Sequence, residues 1–398
     1  MKKHLVLGAL AVLALAACTK SEVVELNKGN EISLTAVTGK NLTKAADGYC
    51  NNSLPADFQV WAATQGKSYF ENQKYKDQSG TYIADGAARY WPEGSATVDF
   101  FATKNHSGTV TFTPSGTETS LKFSGYTVEN AVDQQKDFIY AVKKGASKSS
   151  TATKLNFRHA LSQIEFRAKN GNKNIRVFID GVQVVNVKNT GNFTMTAATT
   201  NNFIEHTNGV ANDTDSRVGR GVWTDQSGKQ TYSVSFPEVE VAGNNTAKDL
   251  TYPGTAKAYD TKSMYLLPQT LTVWDPTVTP SLPAADPAQS KAYFVVNALI
   301  YNDKDADPSA TFDKTDNVVL WGKDLGSGNW GPKPIAVQLP TGMKWEDGFR
   351  YLYTFNFTNY GVGGTDPGTG DPVLTPITLE VTVDDFVDVV PAEDIEVK

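Results

Sequence analysis

Three acidic side chains have the spacing of a calcium-binding loop. Asp303, Asp305 and Asp307 alternate in the segment DKDADPSATFDK, and alternate carboxylates supply the first oxygen ligands of such a loop. Pro308 stands where the loop requires glycine, and Lys314 stands where it requires a bidentate glutamate. The sequence therefore favours a solvated acidic loop over a calcium site, and we expect no bound metal.

Other residues that could support catalysis are scattered. The segment WAATQGKS ends like a phosphate-binding loop, but Trp61 occupies the position of its first glycine and no helical pattern follows. After the first 17 residues the histidines are His106, His159 and His206, and they lie in three separate segments. We expect no enzyme activity and no cofactor, and we expect His159 to be a hydrogen-bonded strand residue rather than a ligand.

Cys18 carries the clearest chemical signal in the chain. It follows two lysines and a short apolar run, which is the pattern of a secretory signal peptide. The sequence LAAC at residues 15–18 resembles the bacterial lipobox, in which the cysteine becomes acylated. We therefore expect residues 1–17 to be a lipoprotein signal peptide and residues 18–30 a tether. Acyl chains on Cys18 would hold the protein on a membrane without a transmembrane helix.

Cys50 is the other cysteine of the chain. With Cys18 acylated, Cys50 has no partner for an internal disulfide in an oxidising compartment. No neighbouring histidine or basic cluster activates its thiolate. We expect a partly buried thiol with no redox chemistry.

The charge of the chain argues against a nucleic-acid partner. The formal net charge is −6, and loss of the signal with its two lysines makes it −8. The seven arginines are dispersed among acidic residues, whereas neutralisation of phosphates requires clustered lysine and arginine. We therefore expect no binding to nucleic acid.

Alternation of apolar residues with a period of two dominates the chain, and helical patterns are nearly absent. The alternating segments are 58–62, 98–102, 121–123, 138–142, 155–157, 175–179, 232–236, 293–301, 351–357 and 377–383. Turn-rich stretches such as PEGS and GSGNWGP separate them. This pattern predicts an all-β protein built from antiparallel β-sandwiches.

The polar segment KKGASKSSTATK, residues 143–154, is the best candidate for a domain boundary. We place an N-terminal β-sandwich at residues 31–148 and a larger C-terminal β-sandwich at residues 149–398. The second domain carries the glycine-rich loop GVGGTDPGTGDP and ends in a terminal strand.

Six segments, in order along the chain, resemble those of the fimbrillin family, the subunits of the type V pili of Bacteroidetes. They are RYWPEGSATVDFFA (89–102), DFIYA (137–141), FRHALSQIEFRA (157–168), MYLLPQTLTV (264–273), WEDGFRYLYTFNF (345–357) and ITLEVTVDDFVDV (377–389). The resemblance implies two transthyretin-like antiparallel β-sandwich domains in tandem. It also implies a lipoprotein precursor of a cell-surface fimbria, with other pilus subunits as partners and a role in adhesion to a host or bacterial surface ligand.

Assembly by strand exchange is a further implication of the resemblance. A protease would remove the lipidated end together with the first strand, EISLTAV (31–37), and a strand of another subunit would fill the exposed groove. Ile377, Leu379, Val381 and Val383 would form the apolar face of this donor strand. The alternative is that the same segment is an ordinary last strand of its own domain.

The expected cut site departs from the family pattern. Such proteins are cut after arginine, but no arginine precedes Arg89. Lys44 in LTKAADG makes the bond between Lys44 and Ala45 the candidate site. Either the protease accepts lysine, or this subunit stays uncut and serves as an anchor or cap.

A surface glycan-binding lipoprotein of a polysaccharide-utilisation system is the alternative function. It would share the lipid anchor and the β-sandwich, and would bind sugars on two or three exposed, coplanar tryptophans. Trp61 and Trp91 lie in or beside strand patterns and are expected in the core, which leaves Trp330 as the best loop candidate.

Replacement of Cys18 by alanine is expected to abolish lipid attachment, because acylation requires the cysteine sulfur. Cells labelled with a palmitate analogue should show label on the natural chain and none on the variant, which should leave the membrane fraction. Undiminished label and membrane retention in the variant would contradict the assignment.

Overall fold

The computed structural model describes residues 31–38, 54–196, 221–251, 263–275, 291–358, 363–365 and 372–385. Regular structure in these ranges is almost entirely β-strand, accompanied by a short 3-10 helix, Val132–Gln134. The prediction of an all-β protein is confirmed. No helix in the described ranges is both long enough and apolar enough to cross a bilayer.

The strands are numbered in chain order. They are β1 (Leu34–Thr38), β2 (Asp57–Thr64), β3 (Lys67–Gln78), β4 (Thr81–Ala84), β5 (Val98–Lys104), β6 (Thr109–Thr113), β7 (Ser120–Thr127), β8 (Ile139–Ala146), β9 (Thr153–His159), β10 (Ser162–Asn170), β11 (Ile175–Val187), β12 (Thr190–Thr196), β13 (Val222–Ser227), β14 (Gln230–Val241), β15 (Lys248–Asp249), β16 (Met264–Leu266), β17 (Tyr293–Asn302), β18 (Val319–Trp321), β19 (Lys323–Gly326), β20 (Asn329–Gly331), β21 (Lys333–Val337), β22 (Phe349–Phe357), β23 (Gly363–Thr365) and β24 (Pro372–Asp385).

Seven strands close into a barrel in the order β1-β4-β3-β2-β5-β8-β9. Alternate residues of these strands point inward and form one core, which includes Phe58, Val60, Phe100, Ile139 and Phe157. The sequence predicts an antiparallel β-sandwich here, and in the structure its sheet closes on itself. Closure results from β1, which pairs parallel with β9 on one side and antiparallel with β4 on the other.

The first sheet extends beyond the domain boundary expected after residue 148. Residues 147–152 connect β8 to β9, and these two strands pair antiparallel within the barrel. The chain leaves the barrel at the buried residues Ala160 and Leu161, and β10 then starts the second sheet. The segment 157–168, interpreted from sequence as one strand, is therefore two strands in two sheets.

A four-stranded sheet, in the order β13-β12-β7-β6, joins the two parts of the chain. Its strands β6 and β7 come from an insertion between β5 and β8 of the barrel, and β12 and β13 come from an insertion between β11 and β14. The two hairpins meet where β7 pairs antiparallel with β12. We call this four-stranded sheet the bridging sheet.

Phe138 lies at the centre of an aromatic cluster beneath the bridging sheet. Its ring centroid is 5.2 Å from that of Tyr126, 5.6 Å from Phe123 and 5.1 Å from Phe193. Trp223 of β13 completes the cluster, with its ring 5.0 Å from Phe193. Pairs of this geometry each stabilise by about 0.5–1.5 kcal/mol beyond area burial, so the cluster fastens the barrel to the bridging sheet.

The second sheet has eleven strands in the path β14-β11-β17-β21-β23-β24-β22-β10-β15, with β16 beside β10 and β18 beside β17. The sheet folds over on itself and forms two layers. Phe294 of β17 therefore packs against Phe166 of β10 at 5.2 Å and against Tyr353 of β22 at 4.7 Å, measured between ring centroids. The long strand β24 links the two layers, pairing with β23 through its first residues and with β22 through the rest.

Candidate functional site

Several residues singled out from the sequence lie outside the described ranges. They are Cys18, Lys44, Ala45, Cys50 and His206. The lipid site and the processing site therefore stay predictions. The structure does place the two strands expected to be exchanged, and they belong to different parts of the fold.

The first strand presents one apolar face to the barrel interior. Ile32 and Leu34 are fully buried and Ala36 nearly so, whereas Ser33 and Thr35 between them are half-buried. Full burial of an aliphatic side chain stabilises by about 1.5–3 kcal/mol. The alternation of apolar and polar residues in EISLTAV thus belongs to a strand whose apolar face fills a groove in the barrel.

Backbone pairing of this strand is divided between two neighbours. Residues Leu34 to Thr38 pair with Thr153 to Phe157 of β9, and the Thr153 amide also donates to the Ser33 carbonyl oxygen at 2.9 Å. On the other side Leu34 pairs with Tyr82, and the Ile32 amide donates to the Arg89 carbonyl oxygen at 2.7 Å. Removal of this one segment would leave unpaired backbone groups on both walls of the groove.

Tyr82 forms part of the wall beside Leu34. Its hydroxyl donates to the carbonyl oxygen of Pro55 at 2.7 Å, and burial raises the pKa of Tyr82 to about 12. The hydrogen bond ties β4 to the start of β2, so this wall has support that does not depend on β1.

The proposed donor segment lies within its own chain in the structure. Residues Ile377 to Asp385 pair antiparallel with β22, in a register that places Ile377 opposite Phe357 and Val383 opposite Tyr351. Ile377 is buried, and Leu379 and Val381 are partly buried against the main core. The segment is therefore the last strand of the second sheet, and its transfer to another subunit stays a prediction.

Polar contacts on the outer face hold β24 in this position. The ammonium of Lys169 on β10 lies 2.8 Å from the carboxylate of Glu380, and the Asn356 amide donates to the same carboxylate at 3.2 Å. Glu380 is more than half exposed, and surface pairs of this kind stabilise by about 0–1 kcal/mol. These side-chain contacts therefore add little to the backbone pairing of β24 with β22.

The acidic loop that resembled a calcium site is organised around an arginine. Arg176 is almost fully buried, and its Nε donates to the Asp303 carboxylate at 2.8 Å while Nη1 reaches Glu240 at 2.5 Å. Asp307 accepts instead from the backbone and hydroxyl of Ser309. Within the described ranges no three histidine, cysteine or acidic residues are grouped so that they could hold a metal ion.

His159 has the hydrogen-bonded role expected from the sequence. Its Nδ1 lies 2.9 Å from Oδ2 of Asp137, and Asp137 is completely buried. The pair joins β9 to Asp137, which comes directly before Phe138 of the aromatic cluster. Its position supports a structural role at the junction between the sheets.

The tryptophans do not form an exposed platform. All seven lie in described ranges, and Trp61, Trp91, Trp274 and Trp345 are buried. Trp223 and Trp321 are half-buried, and Trp330 is 39% exposed. Stacking of a sugar on several coplanar rings, the geometry that would have favoured the glycan-binding alternative, has no counterpart in these side chains.

The fold and the two terminal strands define an all-β structural protein whose sheets are closed by strands near the ends of the chain. The chain belongs to the fimbrillin-like family, which it matches over residues 19–385. Membership of this family supports a role as a cell-surface pilus subunit. No curated protein matches it.

Solved structures of fimbrial proteins are similar to this one. A fimbrial protein from Bacteroides vulgatus ATCC 8482 has a TM-score of 0.50 at 13% identity, over 89% of this chain and 99% of that one. A putative cell adhesion protein from Bacteroides uniformis ATCC 8492 has a TM-score of 0.42 at 12% identity, over 90% and 99%. A fimbrilin from Porphyromonas gingivalis W83 has a TM-score of 0.35 at 12% identity, over 90% and 97%. The first similarity supports the shared fold.

Replacement of Leu34 by alanine is expected to lower the free energy of unfolding of the uncut chain by about 2–5 kcal/mol, because a fully buried side chain is truncated at the strand that closes the barrel. Thr35→Ala, on the opposite face of the same strand, should cost about 1 kcal/mol or less. Urea denaturation followed by tryptophan fluorescence measures both. Equal losses would contradict the packing described for β1.

Proposed function

We propose that the protein is a structural pilus subunit that is exported as a lipoprotein, held at the outer membrane through acylated Cys18, and assembled by strand exchange into an adhesive fimbria. The observation that carries this proposal is the position of β1. This strand fills a groove in the barrel with Ile32 and Leu34, and it lies just before the segment that contains Lys44. A single cut after that strand would separate it and the lipid from the rest of the chain.

Loss of β1 creates the acceptor site in this mechanism. The opened barrel would present the unpaired edge of β9, from Thr153 to Phe157, and the apolar side chains that Ile32 and Leu34 had covered. Exposed edges and apolar grooves of this kind pair readily with an added strand. A donor that reproduces the hydrogen bonds of β1 runs parallel to β9 and antiparallel to β4.

The segment Ile377 to Val383 is the proposed donor. Its alternate aliphatic residues match the inward pattern of the strand that would be lost, and its outward residues Thr378, Glu380 and Thr382 are polar. In the unassembled subunit it occupies its place beside β22. Assembly therefore requires that it leave β22 and enter the barrel of a neighbouring subunit.

This role requires neither catalysis nor a cofactor. The buried charged and polar groups at the junction and in the acidic loop have structural partners, namely Arg176 with Asp303 and His159 with Asp137. Adhesion would come from the assembled fibre and its surface.

Maturation is expected to give surface fibres whose subunits begin at Ala45. Mass spectrometry of the N-terminus of fibres sheared from cells would identify the cut, and Lys44→Ala should leave uncut, lipid-bearing precursor and few fibres. Lys40→Ala serves as the control, because Lys40 also lies between β1 and β2 and should be dispensable. Fibres whose subunits begin at Cys18 would show that removal of the strand is unnecessary.

A disulfide that locks β24 onto β22 is expected to abolish assembly. Asn356 and Thr378 are directly opposite in the register, and opposed residues of antiparallel strands have Cα separations that a disulfide spans. The variant Asn356→Cys with Thr378→Cys, in a Cys50→Ser background, should stay folded but form no polymer when oxidised. Reductant should restore polymerisation, which is measured by electron microscopy and gel ladders.

The matched controls are the two single-cysteine variants, which should polymerise with or without oxidant. Mass spectrometry must show the closed disulfide in the double variant. Polymerisation of the closed form at the rate of the single variants would establish β24 as a permanent strand of its own domain and overturn its assignment as donor.

A further inference from the structure

A cleft of about 650 Å³ lies where the barrel meets the start of the second sheet. Its walls come from the end of β5, the end of β7, the 3-10 helix and, across the junction, Leu161 and Tyr265. The volume is within the range of about 300–1,000 Å³ that is typical of small-molecule sites. Of its fourteen lining residues, Val128 and Leu161 are the two with wholly aliphatic side chains, so the cleft is unusually polar.

Internal hydrogen bonds fix the walls of the cleft. The buried Gln135 side chain accepts from the Tyr265 amide at 2.8 Å and donates to the Glu129 carbonyl oxygen at 3.0 Å. The Asn105 side-chain amide donates to the carbonyl oxygen of Asp137 at 2.9 Å. These bonds cross-link the three chain segments around the cleft, so a ligand would meet a preformed surface.

His106 is held in one orientation on the barrel side. Its Nδ1 lies 2.6 Å from the Thr103 hydroxyl, and its ring packs against Trp61 and Phe123. Burial lowers the pKa of His106, so the imidazole is neutral at neutral pH. Its Nε2 makes no hydrogen bond to another described residue, and His106 lines the cleft.

Other polar side chains of the cleft have no partner in the described part of the chain. Gln59, Ser107 and Gln134 all line the cleft, and their side chains make no hydrogen bond to another described residue. Each primary amide both donates and accepts, and a hydroxyl does the same. This combination matches the hydroxyl groups of a sugar, each of which also donates and accepts.

The charges around the cleft nearly balance. Lys104 is paired with Asp57, which also pairs with Lys74. Lys136 and Glu129 contribute opposite charges. A strongly anionic or cationic ligand would therefore find little net attraction. The lining favours an uncharged, hydroxyl-rich molecule.

We infer that this cleft binds a neutral oligosaccharide, whose ring hydroxyls bond to Gln59, Gln134 and Nε2 of His106. The inference deepens the proposed function and rests on it, since it names the class of ligand that an adhesive fimbria would recognise. The site differs from an aromatic platform, because amide and imidazole groups in a rigid cleft replace stacked tryptophans.

The test measures binding by the full unassembled chain carrying Cys18→Ala. The probes are neutral tri- and tetrasaccharides of glucose, galactose, mannose and N-acetylglucosamine, with a sialylated trisaccharide and a tripeptide for comparison. Isothermal titration should show saturable binding of at least one neutral saccharide. Gln59→Ala and Gln134→Ala should each weaken it about tenfold, the effect of one lost hydrogen bond. Gln78→Ala, an exposed glutamine at the end of β3, should leave it unchanged.

Three results would overturn the inference: no saturable binding of any neutral saccharide at 10 mM, binding that survives both cleft variants unchanged, or binding confined to the sialylated or peptide probe. Fibre formation by the cleft variants is measured separately. The cleft lies apart from β1 and β24, so normal fibres without saccharide binding would refute the ligand and leave the proposed assembly intact.

Discussion

The packing of aromatic rings around Phe138 is the interaction on which the rest of the structure depends. Phe138 belongs to the barrel side of the chain, whereas Phe193 and Trp223 belong to hairpins inserted in the second sheet. The pairing of β7 with β12 closes the bridging sheet over this cluster. In the proposed fibre, an acceptor groove in the barrel and a donor strand in the second sheet would transmit load only through the junction between them, and this cluster packs at that junction.

The strands β9 and β10 follow one topological rule. The chain passes directly from β9 in the barrel to β10 in the second sheet, and each of these strands has a distant parallel neighbour, β1 for β9 and β22 for β10. Parallel neighbours cannot be joined by a tight turn, so each pair is closed by a segment far away in sequence. A strand with no tight connection to its neighbour can be removed or replaced without breaking a hairpin, and β1 has this property through its pairing with β9.

The sequence predicts strands well here and their partners less well. Each of the ten alternating segments contains residues of a strand in the structure, because one buried face imposes a period of two. The boundary predicted near residue 148 falls in the loop between the paired strands β8 and β9, because a polar hairpin loop and a linker have the same composition. Sequence also did not reveal the bridging sheet: Phe100 and Phe101 are both fully buried, since Phe100 faces the barrel core and Phe101 packs against Phe112 of β6 at 5.8 Å. The sequence did not predict the polar cleft, because its residues come from separate segments that only the fold brings together.

Strand exchange between subunits requires an empty groove in the barrel of the accepting subunit. In the uncut chain β1 already occupies that groove, with Ile32 and Leu34 fully buried. At the same time β24 is paired with β22 along nine residues, from Ile377 to Asp385. Exchange replaces one strand by another of similar apolar character, so its net free energy is a small difference between large burial terms. In the proposed mechanism the covalent cut would supply the direction: detached β1 would be lost by dilution, and the groove would be left for a strand that remains attached to a neighbouring subunit.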